Sequence, residues 1–213
     1  MTDPPNPHIP YPLPPLRDPP ERRGPLMVPI VYESTGRDPV RQLYERRRVL
    51  LGGPLDAATA TAVAAELMSL DGRSGRDIEL LVNSEGGPLD DVFAVLDVIT
   101  LSRASVVVMC FGRAIGTAAI VLACGTGTRR ATPNATISLR CREETSIVGS
   151  AREAEQRAEH ERQVRDRIRR ILGERTRLPA ARIDQELDEG AQLDASGALE
   201  LGIIDEIVTR PSP

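Results

Sequence analysis

The chain has 213 residues, 40% of them apolar and 27% charged, with 31 acidic against 27 basic side chains and a net charge of −4, which suits one ordinary domain with a substantial core and leaves little room for two. A mild negative charge gives no general attraction for nucleic acid, and two Phe, three Tyr and no Trp leave few rings on which bases stack. Lysine is absent, so every basic side chain is arginine, and the only histidines are His8 and His160; groups able to act as a base near neutral pH are therefore few.

Residues 1–25 hold ten prolines among few apolar side chains, a composition that favours extended, solvated chain over packing. A disordered extension is expected, either a plain solvated tail or, through Pro10, Tyr11, Pro12, Pro14 and Pro15, a ligand for an aromatic groove. This stretch has neither a basic n-region nor an apolar h-region, so a cytoplasmic location is expected. Cys110, Cys124 and Cys141 are odd in number, lie in or beside apolar segments and lack the paired C-x-x-C spacing of zinc sites, which points to buried reduced thiols and to no metal. Residues 104–125 approach a membrane span in length with Arg113 as the single charge, but Gly112, Arg113 and Gly116 interrupt the stretch and its first half is strand-like; no membrane segment is expected.

Order-promoting pattern starts at Leu26. Ala57 to Leu70 reads as a helix with Val63, Leu67 and Leu70 on one side, and Asp77 to Val82 as a buried strand. Asn83-Ser-Glu-Gly-Gly-Pro88 follows that strand and leads into a helix from about Leu89 to Thr100. Paired glycines let a backbone approach a ligand closely and aim an N–H at it; an ordinary strand-to-helix turn is the alternative. The β-branched run Val106 to Val108, the elbow from Gly112 to Gly116 and the alanine-rich segment after it read as strand, tight turn and helix. Such an elbow presents a nucleophile in serine hydrolases, yet Gly116 has no side chain to present. Gly125-Thr-Gly127 reads as a helix C-cap and turn rather than a phosphate loop, and the sequon at Asn134 to Thr136 as incidental.

Ser150 to Thr176 is the best-defined helix. Ala154, Ala158, Val164, Ile168, Ile171 and Leu172 recur at helical spacing, and Glu153 with Arg157, Glu161 with Arg165 and Asp166 with Arg170 are set for i,i+4 pairs. Pro179 to Leu187 is a short helix, and the apolar close runs through Gly202-Ile-Ile-Asp205.

Several of these segments resemble the proteolytic subunit of the ATP-dependent Clp protease. Cys110-Phe-Gly-Arg-Ala-Ile-Gly116-Thr-Ala-Ala is similar to the family's C-x-G-x-A-x-S-M-x-A elbow, Asn83 to Pro88 to its N-S-P-G-G-S loop, Pro133 to Arg140 to its L-P-N-S-R-I-M-I-H segment, and residues 195–208 to its S-A-x-E-A-x-E-Y-G-L-I-D-x-I close. The resemblance implies an α/β chain of the ClpP/crotonase-like fold, built of repeated β-β-α units over residues 26–210, with a protruding handle helix in a handle region of about residues 141–177 and a short tail at 211–213. It further implies a ring of Clp-type subunits, identical or mixed, served by an AAA+ unfoldase that uses the ATP, with no cofactor in this chain. Docking of the unfoldase is in doubt, because Glu79 and Leu81 stand where the family has aromatic residues. The handle strand, Glu143 to Gly149, lacks the family's glycine-rich character.

By the same resemblance the family's serine, histidine and aspartate fall on Gly116, Arg140 and Gly190, and its oxyanion and substrate-binding backbone on Gly86, Gly87 and Thr117. A guanidinium stays protonated and accepts no proton. Thr117 and Ser138 are hydroxyls near the site, but His8 lies in the tail and His160 within the charged helix; Asp188 or Glu189 would be needed as a rearranged base. Arg140 is expected to make a structural ion pair with Asp188, Glu189 or Glu144. The expected role is therefore a non-catalytic ring subunit, structural or regulatory in protein degradation. Its rivals are an active ATP-dependent serine endopeptidase, a crotonase-like acyl-thioester enzyme and a stand-alone binding module.

Overall fold

The computed structural model describes residues 38–141 and 150–209. The proline-rich extension, the handle strand with Glu144, and the tail at 211–213 lie outside the described residues.

A short helix, α1 (Pro39–Glu45), is started by Asp38, whose carboxylate accepts the Val40 N–H, and leads into β1 (Arg48–Pro54). Helix α2 (Ala57–Asp71) starts where Asp56 accepts the Thr59 N–H at 2.8 Å, and buries Ala60, Val63, Ala64, Leu67 and Leu70, one face of a 3.6-residue period. In β2 (Ile78–Gly86) Leu80, Leu81 and Val82 are buried in succession, as in a strand covered on both sides, and the polar second half alternates exposed with buried residues. Then come α3 (Val92–Leu101), β3 (Val106–Ile115) and α4 (Thr117–Ala123), all seven of whose residues are buried. Strands β4 (Arg129–Ala131) and β5 (Thr136–Ser138) follow, then the long α5 (Ala151–Arg175), α6 (Ala180–Glu189), α7 (Ala195–Glu200) and β6 (Glu206–Ile207).

The sheet is parallel throughout, in the order β1-β2-β3-β4-β6, with β5 beside β3. The fold is thus α/β, with strand and helix alternating as parallel crossovers require. The repeated β-β-α unit takes the form of strands that change partner or register partway. β1 and β2 shift between Gly52 and Pro54, β2 and β3 between Val82 and Ser84. In β3 the first half, Val108 to Cys110, pairs with β4 and the second, Arg113 to Ile115, with β5. Gly112, at φ +80°, sits between the two halves. β2 therefore runs on through Gly86, four residues past the expected strand end at Val82, so Asn83 to Gly86 are the end of a strand and the turn starts at Gly87.

Two arginines lock the frame from inside. Arg47, at φ +60° and 9% exposed, donates to the carbonyls of Leu70, Ser74, Arg76 and Asp77, closing the C-terminal end of α2. Arg129 donates to the carbonyls of Ala123, Arg175 and Gly202 and forms a two-point pair with Asp205 at 2.9 and 2.5 Å, gathering the ends of α4 and α5 onto the Gly202 turn. Seven backbone carbonyl groups and one carboxylate, most of them at such ends, thus receive a guanidinium N–H.

In α5 a capping box joins Ser150 and Glu153. Its first half departs from the expected apolar face: Ala154 and Ala158 are exposed, and the buried stripe begins only at Val164 and continues through Ile168 and Leu172. Before Val164 no apolar side chain of the helix from residue 152 on reaches the core, and its contact with the body there is polar, through His160. Its charged residues also reach beyond the expected i,i+4 pairs. Arg165 pairs with Asp188 of α6 at 2.6 Å, and Asp166 with Arg169, which also binds Asp184. Helix α6 alongside supplies two of these carboxylates, Asp184 and Asp188.

Candidate functional site

The elbow keeps the backbone of a nucleophile-bearing turn. Gly116, at φ +57° and ψ −122°, is the N-cap of α4; its N–H donates to the Ser138 carbonyl at 2.7 Å and its carbonyl accepts from Ala119 and Ile120. A left-handed residue between strand and helix is strained for anything but glycine, and hydrolases tolerate that strain to expose a nucleophile. A Cβ at residue 116 would stand 3.2 Å from the Arg140 carbonyl oxygen and 3.7 Å from Cys141 Sγ, a close but nearly open space.

Gly116, Arg140 and Gly190 line one groove, of about 1120 Å³, together with Gly86, Gly87 and Ser138. The fold thus brings together the positions that the sequence singled out. Arg140 is exposed and makes no ion pair among the described residues. The expected pairing with Asp188 is not formed, because Arg165 holds that carboxylate; Glu189 shares the groove with Arg140, and Glu144 is outside the described residues. Exposure to water satisfies the guanidinium in place of a partner.

At Gly190 the wall differs in kind. This glycine ends α6, its N–H on the Glu186 carbonyl, and a Cβ there would stand 2.1 Å from that same oxygen and 3.1 Å from Glu186 Oε2. Any side chain requires the backbone to move. Glu186 is 7% exposed; Oε1 accepts from Arg182 at 3.0 Å, while Oε2 has no partner among the described residues. Nothing in the residue pattern points to this carboxylate beneath Gly190.

The hydroxyls are committed elsewhere. Ser138, 3% exposed, donates to the Gly190 carbonyl and accepts the Arg140 N–H, both at 3.3 Å. Thr117, fully buried, accepts the Gly87 N–H at 2.8 Å. Gly86 and Gly87 both lie where side chains are refused: a Cβ would stand 2.4 Å from the Ile115 carbonyl oxygen at the first and 2.1 Å from that of Leu55 at the second. The pair is needed for packing as much as for any ligand.

The three thiols are buried and reduced. Burial pushes those of Cys110 and Cys124 up to about 12, for Cys124 against the pull of Arg175 and Arg129, so neither is a nucleophile near neutral pH. Cys141 Sγ donates to the Leu139 carbonyl.

One pair was missed. His160 Nε2 lies 3.0 and 2.9 Å from the two Asp90 oxygens, joining α5 to the loop after β2 on the wall of the groove. The signal was present: His160 precedes Val164, Ile168 and Leu172 at steps of four, on the stripe that meets the body. Across the groove Arg113 pairs with Glu85 at 2.6 Å. No helix among the described residues is long and apolar enough to cross a membrane, and none of them forms a cluster able to hold a metal.

Comparison with known proteins agrees with the order of these elements. The Clp protease family matches over residues 32–211. The chain is also 30% identical over 197 residues to the ATP-dependent Clp protease proteolytic subunit 2 of Streptomyces coelicolor, an alignment covering 89% of this chain and 90% of that protein. The parallel α/β sheet, the elbow before a buried helix and the long α5 are those of a chain that belongs to the Clp protease family.

Proposed function

We propose that this chain is a non-catalytic subunit of a Clp-type ring, structural or regulatory in protein degradation. The observation that carries this reading is the side-chain content of the groove: glycine where an elbow presents its nucleophile, an exposed guanidinium at the base position and, at the orienting position, a glycine with no room for a Cβ. Acyl transfer by a serine needs a nucleophile, a proton acceptor within reach and a group to orient it. Loss of such a set costs about a millionfold in turnover.

The parent activity, ATP-dependent serine endopeptidase, has one observation in its favour: His160 with its Asp90 partner is a base of the right type on the groove wall. It lacks a nucleophile to serve, since Ser138 and Thr117 are buried and hydrogen-bonded to backbone groups.

In the assembly, identical or sister subunits complete the ring, and an AAA+ unfoldase supplies the ATP-driven step. Its docking is weakened in this subunit, where Glu79 pairs with Arg48 at 2.6 Å and Leu81 is buried. A charged cross-strand pair is a poor receptor for an apolar loop. Native mass spectrometry of the chain alone and co-expressed with its host's other Clp-type subunits, with peptide turnover followed on each species, tests the reading. Entry into a mixed ring whose turnover follows the sister subunits alone is expected; a monomeric chain, or turnover by the chain alone, would refute it.

A further inference from the structure

The Gly87 amide sits at the end of β2, where a backbone N–H facing the groove would receive the negative oxygen of a reacting carbonyl. Here the N–H points instead at Thr117 Oγ, 2.8 Å away, and the Thr117 hydroxyl returns its own hydrogen toward the Gly87 carbonyl at 3.3 Å. Thr117 is completely buried, so the partner lies in the core and not in the groove. The neighbouring geometry fixes this arrangement. Gly86 passes so close to the elbow that a Cβ on it would stand 2.9 Å from Thr117 Oγ, and its carbonyl is held by the Leu55 N–H at 3.0 Å.

We infer that Thr117 closes the anion receptor of the groove from inside: its hydroxyl holds the Gly87 peptide group turned into the core, so that the cleft presents a peptide-sized surface without this donor. The inference rests on the non-catalytic reading for its meaning and deepens it, since the site then lacks a backbone donor as well as the three side chains. Thr117 is a positioning residue here. It touches no reacting atom and acts through the Gly87 peptide.

The test is amide hydrogen exchange at Gly87 in the full chain, compared among wild type, Thr117→Ser and Thr117→Val. Valine matches threonine in shape and lacks the hydroxyl; serine keeps it. Protection of Gly87 is expected to fall about tenfold in T117V, the loss of one buried hydrogen bond, and to persist in T117S. Equal protection in wild type and T117V would overturn the inference, as would loss in T117S to the same degree as in T117V. Should T117V not fold, the wild-type chain still decides: Gly87 exchanging as slowly as core amides supports the closed receptor, and exchange at the rate of open groove amides overturns it. Peptide turnover by wild type would refute the non-catalytic reading while leaving the Gly87 protection as measured, so the two failures are distinguishable.

Discussion

The floor of the groove and its far wall are built differently. On the floor, the elbow at Gly116 has the backbone dihedrals of a nucleophile-bearing turn, with α4 entirely buried behind it, while the Gly87 N–H after β2 is turned onto Thr117. On the wall, the turn after α6 has closed on itself, so that a side chain at Gly190 would overlap the Glu186 carbonyl. The floor is held by core packing and sheet register, which are needed whether or not the chain is an enzyme. The wall is held by the end of α6, by the Ser138 hydroxyl on the Gly190 carbonyl and by the Ile137–Leu193 backbone pair. Likeness of backbone is therefore weak ground for activity, and the side chains decide.

The largest effects are expected where the floor is most tightly packed. Gly87→Ala would place a Cβ 2.1 Å from the Leu55 carbonyl oxygen, and a loss of about 3 kcal/mol or more is expected in urea unfolding, with ring assembly impaired. Gly190→Asp, intended to rebuild the wall, is expected to cost about 2–4 kcal/mol by the same kind of overlap and by setting a second carboxylate beside the unpartnered Glu186 oxygen. Stability equal to wild type in G190D would show that the wall is open after all.

Gly116→Ser meets only a 3.2 Å contact, so a cost of about 1–2 kcal/mol from the left-handed backbone is expected, with the fold retained and no peptide turnover gained. Outside the groove, Arg129 holds the Asp205 carboxyl below the usual carboxylate range, chiefly by its hydrogen bond and against the opposing effect of burial. A depressed folded value means that this contribution is fully present above the unfolded value of about 3.9 and is lost as pH falls through the lower folded one. Acid unfolding curves of wild type and Arg129→Ala should differ in slope in that window; superimposable slopes would contradict the pairing. The smallest effect belongs to Arg140→His, exposed and unpaired among the described residues, with a change within about 0.5 kcal/mol in thermal unfolding.

Local signals were legible in the sequence. The helix expected from Ala57 to Leu70 ends at Asp71, and the Ser150–Glu153 cap starts α5 where its pattern begins. The family resemblance puts the triad positions on Gly116, Arg140 and Gly190, and these three residues line one groove. What stayed hidden depends on partners distant in the chain. Asp90 reaches His160 across 70 positions, Thr117 reaches Gly87 across 30, and Asp188 is taken by a helix packed beside it. The Ala154 and Ala158 positions show the converse: they have helical period, but no core stands opposite them, and periodicity alone does not say what a face meets.

The most direct test of a non-catalytic groove is peptide turnover by mixed rings in which the sister subunits' own nucleophile has been replaced, so that this chain supplies the only unaltered sites. No turnover above the background of the altered sister rings is the expected result. Turnover that persists, and that falls when Ser138, Thr117 or His160 of this chain is replaced, would contradict it.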